Sequence, residues 1–99
     1  MYICKKLLLY MKDAIVIIPT YNEIENIEAI IRAIFFQSSE IHIIIIDDNS
    51  PDQTGSKVKD LQNEYAGRLF LVSRSSKQGL GTAYIYGFKW CLARAYKFI

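Results

Sequence analysis

The 99-residue sequence contains one histidine, one tryptophan, two cysteines and two prolines, and it has no acidic residue after Glu64. The lone histidine, His42, sits inside the isoleucine run 41–46, which argues for a place in the core or on a sheet face and against a Ser/His/Asp machine. Cys4 and Cys91 are far apart, with no second pair and no histidine cluster; a disulfide framework and a zinc site are both set aside, and a reducing compartment fits. No apolar run approaches the ~18–20 residues of a membrane span. Lys5 and Lys6 followed by Leu7, Leu8 and Leu9 imitate the start of a signal peptide, but Lys12 and Asp13 close the run too early. The sequence has no Gly-Lys-Ser/Thr, so a P-loop is excluded. A net charge of +2, with no repeated aromatic stacking pattern, gives no footprint for nucleic acid. At about 100–200 residues per domain, this length also excludes a two-domain enzyme.

What the sequence does have is isoleucine, 16 of them, in a composition that is 52% hydrophobic and 22% charged. That load favours buried strands and rules against disorder. Charge is unevenly placed: all ten acids lie between Asp13 and Glu64, whereas residues 65–99 carry six Lys or Arg. Either the last third meets an anion, or balancing acids lie beyond residue 99.

Residues 14–19, Ala-Ile-Val-Ile-Ile-Pro, form a continuous β-branched run that predicts a strand buried on both faces. Asn22 and Glu25 have capping-box spacing, and Ile24, Ile27, Ile30, Ile31, Ile34 and Phe35 then recur at helical spacing, with Glu28 and Arg32 on the opposite side. A second buried strand, 41–46, runs directly into Asp47-Asp48-Asn49-Ser50-Pro51-Asp52. Thr54 can cap a second helix whose inner face is Val58, Leu61 and Tyr65. Residues 69–73 predict a third strand, about 82–95 a third helix, and 96–99 the opening of a fourth strand. This alternation gives a parallel α/β sheet with helices on both faces. Ligands of such sheets bind beyond the C-terminal strand ends, where segments 19–23, 47–54 and 74–82 all fall.

Gly79-Leu80-Gly81 is a poor dinucleotide fingerprint, because Tyr84 stands where the third glycine belongs. Its glycines permit a tight turn. A glycine-rich turn opening a helix, with Arg74 and Lys77 upstream, is also what an anion needs. Trp90, Tyr86 and Phe88 read as packing residues. Asp47 and Asp48 are more telling. Adjacent strand residues point to opposite faces, so two carboxylates leaving a buried strand cannot both be surface decoration. A turn rich in Asx side chains explains Asn49 to Asp52 but not this pair. Receiver domains also place two acids after a strand, but after their first, and Ser73-Arg74 occupies the place of their phospho-accepting aspartate.

Together, Val16-Ile17-Ile18-Pro19-Thr20-Tyr21-Asn22-Glu23, then Ile44-Ile45-Ile46-Asp47-Asp48-Asn49-Ser50-Pro51-Asp52-Gln53-Thr54, then Arg74, Lys77 and Gly79-Leu80-Gly81-Thr82-Ala83-Tyr84 resemble family 2 glycosyltransferases. The third segment and the Ser-Pro-Asp form of the second resemble the narrower dolichyl-phosphate mannosyltransferase (polyprenyl-phosphate mannose synthase) branch. The resemblance covers residues 13–99, with 1–12 as an N-terminal extension. It implies a Rossmann-like parallel sheet, the N-terminal half of a GT-A nucleotide-sugar transferase fold, broken off in the fourth strand. The implied activity is inverting transfer of mannose from GDP-mannose to a polyprenyl phosphate at the cytoplasmic face of a membrane. Carried over by position, Pro19, Tyr21 and Glu23 line the nucleoside pocket, Ile46 lies beside the base, and Asp48 accepts from its N–H groups. Arg74 and Lys77, with Gly79 and Gly81, approach phosphate.

The resemblance departs from the family at Gln53, where glycine is common, and at the C-terminal end. The family's Asp-x-Asp motif for Mg2+ or Mn2+ follows the fourth strand, so the ligands and the acceptor-binding half are not expected within these residues, and the chain alone is expected to be inactive. An alternative reading is a non-catalytic α/β nucleotide-binding or assembly module that self-associates as a homo-oligomer through an open edge beside the first strand.

Overall fold

The computed structural model describes residues 14–99. The expected 1–12 extension and the segment containing Cys4 lie outside the described residues. Three strands, β1 (Ile15–Thr20), β2 (His42–Asp47) and β3 (Leu69–Ser73), form one parallel sheet in the order β1-β2-β3. Ile15 is in register with His42 and Thr20 with Asp47, while Ile43 faces Leu69 and Asp47 faces Ser73. Helices α1 (Ile27–Gln37), α2 (Thr54–Glu64) and α3 (Leu80–Ala93) provide the crossovers.

The side-chain period of two divides the sheet into two cores. Ile43, Ile45 and Leu69 pack with Ile27, Ile31 and Phe35 of α1 and Val58 and Leu61 of α2. Ile15, Ile44 and Ile46 pack on the other face with Ala83 and Cys91 of α3. Central β2 is covered on both sides, and Ile43 to Ile46 are 0% exposed, which is why its sequence is apolar without alternation. β1 is less enclosed than its sequence predicts: Ile15 and Thr20 are buried and the residues between them are half-buried. Its outer side is paired, among the described residues, only at Ala14 with Phe98, where the Ile15 N–H donates to the Phe98 carbonyl at 2.9 Å. The expected fourth strand thus begins parallel to β1.

All three helix starts differ from their sequence signals: Thr54 is the first residue of α2 rather than its cap, Gln53 holds the N-cap position, and no side chain caps the helix. Asn22 and Glu25 form no capping box; Asn22 takes a left-handed φ of 56°, a turn follows, and α1 begins at Ile27. Helix α3 begins at Leu80, two residues early, because Gly79 at φ 98° makes the turn and its carbonyl accepts from the Ala83 N–H at 3.2 Å. Along α3 the helix approaches β1 through Gly87, where a Cβ would lie 2.7 Å from Ile17 Cγ2. Trp90 packs as expected, 5.2 Å from Phe70, but Tyr86 and Phe88 are half-exposed, and Leu80, Ile85 and Leu92 also face outward. His42 lies on the α3 face, its Nδ1 2.6 Å from the Tyr96 hydroxyl, and burial holds its pKa below the ordinary value.

Candidate functional site

The C-terminal ends of β1 and β2 and the turn into α3 enclose a cleft of about 230 Å³ lined by Pro19, Thr20, Tyr21, Glu23, Asp48, Lys77, Gly79, Leu80 and Ala83. Six sequence-predicted residues line it, Pro19, Tyr21, Glu23, Asp48, Lys77 and Gly79, and they come from three separate segments. Lys77 Nζ stands 4.7 Å from the centre of the Tyr21 ring, a cation–π contact that joins the first segment to the third. Ile46 does not line this cleft: it is wholly buried against α3 and forms its support. Gly81 is in the first turn of α3, with no atom near where its Cβ would be.

The two aspartates separate as strand alternation requires, and both are buried. Asp47 points to the α2 side. It accepts from Thr20 Oγ1 at 2.7 Å, from the Ser50 N–H at 3.1 Å and from Ser50 Oγ at 2.7 Å. Asp48 points to the α3 side and meets Arg74 in a fork: Arg74 Nε donates to Oδ1 at 2.6 Å and Nη2 to Oδ2 at 2.8 Å. The Gln78 N–H adds a third donor at 3.1 Å. Both side chains of the pair are 8% exposed. The Arg74 hydrogen bonds hold the Asp48 pKa below the ordinary carboxylate value, outweighing the opposing effect of burial.

Arg74 is thus turned inward. Its Nη1 donates to Thr82 Oγ1 at 3.1 Å and its Nη2 reaches the Gly79 carbonyl at 3.3 Å, so the guanidinium also fastens the turn that opens α3. Arg74 also borders a more open hollow of about 450 Å³, lined in part by Ser73, Ser75, Tyr86 and Lys89.

Ser50, Asp52 and Thr54, which the sequence reading placed only in a turn or at a helix cap, organise the cleft's first wall. Ser50 Oγ accepts from the Asn22 N–H at 2.9 Å, Thr54 Oγ1 from the Glu23 N–H at 3.0 Å, and Asp52 Oδ2 from the Ile24 N–H at 3.1 Å. Three successive amides of the 22–24 turn are thereby tied to the loop after β2. Thr54 Oγ1 in turn donates to Asp52. The Ser-Pro-Asp-x-Thr spacing was the available signal, but its partners lie 28 to 31 residues away.

Residues 15–98 match Glycosyl transferase family 2. The chain belongs to that family. It is 44% identical over 82 residues to a polyprenol monophosphomannose synthase of Mycolicibacterium smegmatis, an alignment covering 83% of this chain and 31% of the relative. It is 41% identical over 76 residues to a dolichol-phosphate mannosyltransferase of Pyrococcus furiosus, covering 75% and 21%. A solved mannosyltransferase of Pyrobaculum calidifontis, in complex with GDP-Man and Mn2+, superposes with a TM-score of 0.72 at 27% identity, over 79% of this chain and 24% of that one. The parallel α/β expectation therefore holds, in the arrangement of a GT-A mannosyltransferase. The chain spans about a third or less of the length of each of these relatives.

Asp47, Asp48 and Asp52 do not suit a divalent cation. Asp48 carries Arg74, Asp47 accepts three donors, Asp52 serves Thr54 and Ile24, and no three His, Cys, Asp or Glu side chains converge among the described residues.

Proposed function

We propose that this chain is the nucleotide-sugar-binding part of a mannosyltransferase that uses GDP-mannose as donor and a polyprenyl phosphate as acceptor, working at the cytoplasmic face of a membrane. The observation that carries the reading is the cleft at the sheet's C-terminal edge, where a buried carboxylate faces an aromatic ring and a lysine. The names of the relatives point the same way. Pro19, Tyr21 and Glu23 line the nucleoside pocket. Asp48, an acceptor held ionised, receives N–H donors of the base. Lys77 and the amides that open α3 at Gly79 and Gly81 face the diphosphate. In the transfer, an oxygen of the lipid phosphate bonds to the anomeric carbon as the bond to GDP breaks. That phosphate, with a second pKa of about 6, is already an anionic nucleophile and needs no general base. No helix among the described residues is long and apolar enough to cross a membrane.

Calorimetry with GDP and UDP tests the reading. GDP binds more tightly than UDP, and Asp48→Ala weakens GDP by about tenfold or more, the scale of a lost charge-assisted hydrogen bond. Equal GDP affinity for the variant and the wild type removes Asp48 from the pocket.

A second reading, a self-associating assembly module, is favoured by the outward apolar side of α3 (Ile85 and Leu92 are 57% and 66% exposed) and by the open side of β1. Light scattering separates the two. A stable dimer that binds no nucleotide supports the module, and a monomer at high concentration contradicts it.

A further inference from the structure

The two cations nearest the cleft have different surroundings. Lys77 lines the cleft and makes no ion pair among the described residues; its ammonium lies over Tyr21. Arg74 is almost wholly enclosed, with both arms of its fork on Asp48 and its remaining bonds on Thr82 and Gly79. A guanidinium presents five N–H donors, and four of those of Arg74 are spent on protein acceptors. Asp48 for its part holds three donors, whereas a carboxylate accepts about four, so one acceptor position stays open.

Resting on the nucleotide reading above, we propose that Arg74 is a positioning residue for base recognition rather than a phosphate ligand: braced by Thr82, it fixes the Asp48 carboxylate in one orientation with a single acceptor position free for the base. Thr82 completes the brace because its hydroxyl accepts from Arg74 and lies within hydrogen-bond reach of the Gln78 and Gly79 carbonyls, at 2.8 and 2.9 Å. Carboxylate, guanidinium, hydroxyl and the turn before α3 thereby form one unit. Lys77 remains as the cation that meets the diphosphate.

The distinguishing experiment compares GDP with guanosine, which has the base but no phosphate, by titration of the wild type, Arg74→Ala, Arg74→Lys, Thr82→Val and Lys77→Ala. Arg74→Ala weakens both ligands by the same factor, about 10- to 100-fold, as expected when a charge-assisted contact is lost through its partner. The loss for guanosine deepens as pH is lowered from about 7 to about 5, because a buried carboxylate deprived of its guanidinium protonates more readily. Arg74→Lys, which keeps the charge but not the fork, and Thr82→Val fall between wild type and Arg74→Ala for both ligands; they carry the test if Arg74→Ala does not fold. Lys77→Ala weakens GDP and leaves guanosine nearly unchanged. If the Arg74 and Thr82 variants lose GDP but bind guanosine as the wild type does, Arg74 is a phosphate ligand and the proposal is overturned. If the folded wild type binds neither ligand, the nucleotide reading itself fails and this proposal falls with it.

Discussion

Single positions in this chain show where local conformation and chemistry disagree. Gln53, where the resemblance noted above leads one to expect glycine, has a φ of 73°, the left-handed conformation that favours glycine. Ser56 Oγ donates to Gln53 Oε1 at 3.1 Å, which partly compensates. Gln53→Gly is therefore expected to stabilise the fold by about 0.5–1 kcal/mol, read as a higher urea midpoint with an unchanged slope. Asp48 contributes to the response to acid. Its folded pKa lies below the ordinary 3.8, so its contribution is complete above that value and is lost as pH falls through the folded value. Glu28, Asp52 and Glu64 are lowered as well, which makes a difference measurement necessary. Urea midpoints against pH should fall less steeply below about pH 4 in Asp48→Asn than in the wild type. The sequence placed at least one of Asp47 and Asp48 at the ligand edge because a buried strand ran straight into the pair, and the family resemblance singled out Asp48. It could not show the inward turn of Arg74, since the partners are 26 residues apart and an exposed arginine would read the same.

At the level of elements, strands were more legible than helix ends. Residues 69–73 form β3 as expected, and the Ile43–Ile46 run forms the doubly covered strand that its lack of alternation demanded. Helix starts were less legible because loop-to-loop bonds replace local caps: the 22–24 amides find Ser50, Thr54 and Asp52, so the Asn22 signal has no local function. Helix α3 was expected at about 82–95, but its inner face was not legible. Its apolar residues lie on two sides, and only the side with Ala83, Gly87 and Cys91 enters the core. Gly87→Ala should cost about 1–3 kcal/mol, because the new methyl meets Ile17 and α3 must shift away from β1. Ile17→Ala removes the atoms it would meet, so a double-mutant cycle should show a coupling energy of about 0.5 kcal/mol or more. Strict additivity would mean that the helix rides over β1 without contact.

Over the whole molecule, the uneven charge noted at the outset acquires a location. The acid-free last third includes Lys77 beside the cleft and Arg74 beneath it, paired with Asp48 just past the end of β2. The sheet sets the first and second segments side by side, and the turn into α3 closes them with the third. The proposed function requires that this convergence serve a nucleotide. The most direct measurement is a backbone amide NMR titration of the 99-residue chain with GDP. The account predicts saturable shifts concentrated in residues 19–23, 47–49 and 74–83, with the outer side of α3 and the α1–α2 face undisturbed. Saturable shifts centred elsewhere, or none while the chain remains folded, would contradict it.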